Sequence, residues 1–281
     1  MSVKDLWYAV ARAFSTAFVI EILAPKVSGV SGVEGFKDLT TVSMVLSSYY
    51  IWRSIEGLTR YPECVPLGTS LLGLVNEVRK DPLVGTNTCL GYGLTAISLA
   101  STILYSTRES SSRDVSKLVG MGFQRLWDCL AKEPPEALLE AISVAGPSYH
   151  GVYVTPRNSR SVYEVLVESS SWDLVAYNIV RGFEVSLELA ELLREVELAE
   201  LPIAVGRVYR YAAGKYVDSV CFKSCGVMAS RLVRALASSG RVEDSALRRV
   251  LTYAGINLGS ISDVVASSVA LALLERYLRR L

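Results

Sequence analysis

No residue between Pro82 and Thr107 carries a charge, and a run of that length has to leave water along most of its course. Two environments accept it: a bilayer, which needs about 20 predominantly apolar residues, or the middle of a globular core. The front of the run is Gly85-Thr-Asn-Thr-Cys-Leu-Gly91, polar and glycine-rich, and no second run of this length stands elsewhere to pair with it. The core is therefore the expectation, with no membrane partner. Asp81-Pro82 breaks whatever helix precedes, Gly85 permits a turn, and Asn87 or Thr88 can cap the apolar helix that runs to about Thr107. A helix start of this composition is either a well-capped core element or a turn that offers free N–H groups to an anion.

The rest of the chain repeats its apolar residues at three and four. Leu6, Val10, Ala13, Phe14, Ala17, Phe18 and Ile22 trace one face of an N-terminal helix that Pro25 ends. Further helices are expected over 39–57, 67–80, 114–130, 134–144, 202–216, 243–254 and 260–281; 161–168 leads into the longest, over 171–196, and 218–226 joins the helix before it to one ending near Ser239. Alternation with period two is scarce, so the fold class is all-α: a single bundle of ten to twelve helices, with 1–281 as one domain.

With 29 basic residues against 28 acidic ones the net charge is +1, which excludes a broad nucleic-acid footprint. A small molecule, or a second copy in a homodimer, is the expected partner. The amino terminus carries Asp5, Arg12 and Glu21 and lacks the uninterrupted apolar stretch of a signal peptide, so a cytoplasmic location is expected. Cys64, Cys89, Cys129, Cys221 and Cys225 suggest neither a disulfide framework nor a zinc site, and His150 is the only histidine. Arg outnumbers Lys and Gln124 is the single glutamine, a composition that points to a thermophile.

Three further features carry chemistry. After Pro25, Lys26 precedes Gly29, Gly32 and Gly35, equally spaced in a loop that either merely connects or turns its N–H groups around phosphate oxygens with Lys26 as a charge clamp. It is not a P-loop, because no Gly-Lys-Ser/Thr follows. In the long helix, Asp173 and Glu184 stand close to three whole turns apart and so on one face, where a solvated surface is the competing reading. Asp263 falls in the expected first turn of the last helix, where a carboxylate suits the helix dipole. The irregular stretch from Gly146 to Asn158, with Pro147, His150, Gly151 and Pro156, has the length of a lid or binding loop.

The order of these pieces resembles the triphosphoribosyl-dephospho-CoA synthases, which make the precursor of the citrate lyase and malonate decarboxylase prosthetic group, together with their archaeal homologues. Glu21-Ile-Leu-Ala-Pro-Lys26 is similar to the family's Glu followed by Lys-Pro-Gly, and Phe36-Lys-Asp38 follows it. The turn Gly85 to Gly91 resembles its Asn-Thr-Asn-Leu-Gly. Trp172-Asp173 with Gly182-Phe-Glu184 resembles its Asp and Gly-Phe-Glu. Asp218-Ser-Val-Cys-Phe-Lys223 resembles its Asp-Thr-Leu-Ile-Ala-Arg-Lys, and Asn257-Leu-Gly-Ser-Ile-Ser-Asp263 its Asn-Pro-Gly-Thr-Thr-Ala-Asp.

The resemblance implies an all-α enzyme in which a hydroxyl of dephospho-CoA, or a related acceptor, attacks the ribose C1 of ATP and adenine leaves. It implies Lys26 and Lys223 on phosphate, and Asn87 and Thr88 on phosphate or ribose. Gly91, Asp218 and Asn257 join them in the substrate site. Glu21, Asp173 and Glu184 are the implied catalytic carboxylates, and Asp38, Asp173 and Asp263 the implied ligands of Mg²⁺. Departures stand at Cys89 for the second Asn, Phe222 for an Arg, Leu258 for a Pro, and Val-Ser-Gly after Lys26 for Pro-Gly. A related ribosyl transferase in another cofactor pathway, a nucleotide-binding protein without turnover and a structural subunit are the other readings.

Overall fold

A computed structural model describes residues 3–32, 34–107, 112–146 and 159–280. The uncharged run forms its centre. The chain is described in order as α1 (Val3–Leu23), α2 (Thr41–Gly57), α3 (Leu67–Lys80), α4 (Leu90–Ser106), α5 (Val115–Leu130), α6 (Glu136–Ala145), α7 (Val162–Ser169), α8 (Leu174–Val180), α9 (Glu184–Glu191), α10 (Leu201–Lys215), α11 (Ser219–Ser238), α12 (Asp244–Tyr253) and α13 (Gly259–Arg280). A single 3₁₀ turn, Leu58–Arg60, follows α2, and the described residues contain no strand beyond isolated bridges.

Every residue of α4 from Tyr92 to Ser106 is buried. Its hydroxyls are the reason this is tolerated in a helix without charge. Thr95, Ser98, Ser101, Thr102 and Ser106 each donate to a carbonyl one turn back, so no polar atom there is orphaned. Small residues set how closely the neighbours come. Leu71 and Leu74 of α3 fill the space a side chain at Gly93 would need, and a Cβ on Gly122 of α5 would lie 1.9 Å from the Thr102 carbonyl oxygen. From the other side α1 and α13 pack on each other and on α4, and Tyr92 donates its hydroxyl to the Phe14 carbonyl across that contact. Of the described helices only α1, over Asp5–Leu23, is long and apolar enough by composition to cross a membrane, and it lies against α2, α10 and α13.

Several expectations are corrected. The stretch 171–196 is two helices, because Gly182 and Phe183 both adopt left-handed backbone (φ +67° and +64°) and turn the chain between α8 and α9. The break adds a helix, giving thirteen among the described residues, and leaves α13 as the longest. The residues after Asp218 are helical from Ser219 rather than a connector, and the interruption falls at Gly226 (φ +83°, ψ 173°) inside α11. Cys64 and Cys129 form a disulfide, where no pairing was expected. The turn before α3 folds back on the end of α5: Arg125 bonds Glu63, Tyr105 receives the Val65 N–H on its hydroxyl oxygen, and the Glu133 carboxylate accepts the Leu67 and Gly68 N–H groups at the start of α3. That docking brings the two Cα atoms to 5.5 Å, which a sequence separation of 65 does not reveal. Of the loop from Gly146 to Asn158, all but Gly146 lies outside the described residues, His150 included.

Candidate active site

Past Leu23 the chain doubles back. Gly32 donates its N–H to the Ile22 carbonyl and the Ser31 hydroxyl bonds the Ala24 carbonyl, which folds Lys26 under the last turn of α1. There its Nζ lies 2.6 Å from Glu21 Oε1, and both side chains are only 2% exposed. The ammonium also stands 5.5 Å above the buried ring of Tyr209 from α10, whose hydroxyl bonds the Leu258 carbonyl. Burial pulls the Lys26 pKa below that of an ordinary lysine, against the pull of Glu21. A buried ion pair contributes little net stability, since desolving two charges offsets their attraction. Charge held in such a place is a mark of a functional site.

Asp263 sits one turn inside α13, which starts at Gly259, and not in the first turn as expected. Its carboxylate serves another helix. It lies against Gly91, where a Cβ would come within 2.0 Å of Oδ2, with the Tyr92 backbone N–H beside it. The resemblance marks Gly91 as a binding residue, and it is the absent side chain there that lets the carboxylate close on the start of α4. Removal from water, and then the negative charges of Glu21, Asp218 and Asp173, push the Asp263 pKa well above the usual carboxylate range.

A second lysine–carboxylate pair lies within electrostatic reach of Asp263. Asp173 caps α8, its Oδ1 accepting the Val175 and Ala176 N–H groups, and its Oδ2 lies 2.9 Å from Lys223 Nζ. The Lys223 ammonium lies 4.2 Å from the ring centre of Trp172, a cation–π contact, and its side chain is 2% exposed. Asp218 is tied into backbone. One oxygen accepts the Cys221 N–H at the start of α11, and the other accepts the Ser260 hydroxyl and the Ile261 N–H at the start of α13. Burial raises its pKa to about 6 in spite of those donors.

The other expected residues divide. Asn257 abuts the Lys26 loop, its Oδ1 3.2 Å from where a Gly29 side chain would begin. Asn87 caps α4 by accepting the Leu90 N–H, while the buried Thr88 hydroxyl is engaged by Ser47 of α2 at 2.6 Å. Asp38 is exposed and bonds the Thr86 hydroxyl. Glu184 is exposed and pairs with Tyr177 and Arg181, so the break at Gly182-Phe183 removes the shared helix face expected for it and Asp173. Tyr209 and Trp172 were missed as site residues. A lone aromatic in an apolar pattern carries no sign that a cation will stand over it. Among the described residues no group of three or more His, Cys, Asp and Glu side chains is placed to hold a metal ion.

Two lysine–carboxylate pairs gathered with a third, buried carboxylate near the start of the central helix of an all-helical bundle form a charge cluster of the kind that marks an enzyme site. Over residues 7–280 the chain matches the CitG family of ATP:dephospho-CoA triphosphoribosyl transferases. It belongs to that family, and it is a transferase of that kind. A protein from Archaeoglobus fulgidus, whose crystal structure carries the provisional name triphosphoribosyl-dephospho-CoA synthase, shares the fold with a TM-score of 0.63 at 20% identity, over 82% of this chain and 96% of that one. No curated protein matches the sequence.

Proposed function

We propose that the chain moves the triphosphoribosyl group of ATP onto the hydroxyl of dephospho-CoA and releases adenine. The observation that carries this reading is the pair of buried lysines, Lys26 and Lys223, whose carboxylate partners Glu21 and Asp173 both act on the buried Asp263. A triphosphate carries enough negative charge to draw both ammonium groups from their carboxylates. Glu21 and Asp173 are then left as bare carboxylates beside Asp263, and carboxylates placed there favour the cationic character that ribose C1 develops as the bond to adenine breaks. The acceptor hydroxyl forms the new bond at C1 and gives up its proton, for which Glu21 and Asp173 are the bases in reach once unpaired.

Mg²⁺ usually binds through one or two carboxylates together with substrate phosphates, not through a cage of protein ligands. Asp173 and Asp263 suit that mode. Asp38, exposed and bonded to Thr86, is the weaker of the three expected ligands. When bound, the ion supplies charge neutralisation on the triphosphate. Two of the four departures from the family pattern, Cys89 and Leu258, are buried core residues, which speaks for retained activity. Dependence on ATP favours the cytoplasm, and a Cys64–Cys129 disulfide in that compartment suits a thermophile.

Incubation with ATP, Mg²⁺ and dephospho-CoA should release adenine in step with an acceptor of increased mass. Lys26→Ala and Asp173→Ala should each slow the release at least tenfold. ATP binding with no adenine from this acceptor would overturn the proposal.

A further inference from the structure

Arg248 lies on α12, which supplies none of the site residues described above, yet all three of its guanidinium nitrogens reach the Lys26 loop. Nη1 donates to the Lys26 carbonyl at 2.9 Å, Nη2 to the Gly29 carbonyl at 3.2 Å, and Nε to the Glu34 carboxylate at 2.6 Å. One planar fork thereby spans the loop. Ser28 fastens the same loop to the Asn257 segment, donating to the Ile256 carbonyl at 2.8 Å and accepting the Leu258 N–H at 3.3 Å. The loop needs such anchors. It is left-handed at Gly29 and Gly32 (φ +76° and +57°), where glycine also leaves the unfolded chain most freedom to lose.

We infer that Arg248 is a positioning residue for the triphosphate of the nucleotide, holding the Lys26–Gly29 backbone in the shape that presents the Lys26 ammonium to phosphate. The inference rests on the assignment of Lys26 to the triphosphate made above. Four groups from four helices face Lys26: Glu21 of α1, Tyr209 of α10, Arg248 of α12 and Asp263 of α13. Arg248 is the other cation among them. It lowers the affinity of Lys26 for its proton while its hydrogen bonds fix the backbone, so charge and geometry separate in different variants.

The test is a calorimetric titration of the full chain with ATP across a pH series, which requires no turnover. Losing the fork should weaken ATP binding by about tenfold or more, about 1.4 kcal/mol at tenfold. Arg248→Met and Arg248→Lys should both show this loss, because a lysine cannot span two carbonyls and a carboxylate. Arg249→Ala, its exposed neighbour, should stay within about twofold. The alkaline limb of ATP binding should move to higher pH in Arg248→Met and stay in place in Arg248→Lys, which keeps the charge. Unchanged ATP affinity in both Arg248 variants, even with a lowered melting temperature, marks a purely structural clasp and overturns the inference. So does an alkaline limb that Arg248→Met leaves unmoved. If the unaltered protein binds no ATP, the nucleotide reading itself fails, and this inference with it.

Discussion

At the scale of single residues the site depends on two close approaches. Gly91 yields to Asp263 at a distance no side chain tolerates. Gly91→Ala should leave a folded protein whose carboxylate is displaced, and a misplacement of about 1 Å at a reacting centre costs on the order of 100-fold in rate. Adenine release measured beside a circular dichroism spectrum tests this, and near-normal release would show that Asp263 is not near the chemistry. Lys26 must be charged to hold phosphate, and burial lowers its pKa from the ordinary 10.5. Deprotonation therefore removes the cation at a lower pH than for an exposed lysine, and ATP affinity should fall on that limb. Lys26→Arg should move the loss to higher pH, because guanidinium stays charged. A limb identical in both proteins would mean that another group titrates.

Among the elements, the joint between α11 and α13 rests on Asp218, which caps both helix starts. Its carboxyl titrates at about 6 in the fold against an ordinary 3.8, so the native state holds this proton more tightly than the unfolded chain. Its contribution is greatest below pH 4, falls as pH rises to 6, and is flat above. The change is of the order of 3 kcal/mol. Urea melts of the wild type and Asp218→Asn at pH 4 and 7 read it out, and an equal pH dependence in both would refute the assignment. The turn between α8 and α9 gives a second test. Gly182 holds φ +67°, so Gly182→Ala should destabilise by about 1–2 kcal/mol. An unchanged denaturation midpoint would argue against the left-handed turn.

For the molecule as a whole, the helical period identified the helix-forming segments, and Asp81-Pro82, Pro25, Asp114 and Pro134-Pro135 marked where several stop or start. What the sequence hid were contacts made across it. An isolated Gly inside a helical pattern is usually tolerated, so Gly182 gave no sign of a reversal that a left-handed Phe183 completes. Glu21 and Lys26 read as parts of one motif, but their ion pair shows only once the chain doubles back between them. Asp263 looked like an ordinary helix-dipole carboxylate because the helix it serves begins at Leu90, far away in sequence. The Cys64–Cys129 bridge belongs to the same class. Closing a loop of that length, its reduction should cost about 2–4 kcal/mol, visible as a lower melting temperature with reductant that Cys64→Ser and Cys129→Ser abolish.

In the proposed function, Lys26, Lys223 and Asp263 surround one nucleotide. A crystal structure of the protein with ATP and without acceptor tests it most directly. Triphosphate oxygens are expected within hydrogen-bond distance of both lysines, and ribose C1 beside the Asp263 carboxylate at the start of α4. ATP bound elsewhere, with the Glu21–Lys26 and Asp173–Lys223 pairs intact, would contradict it.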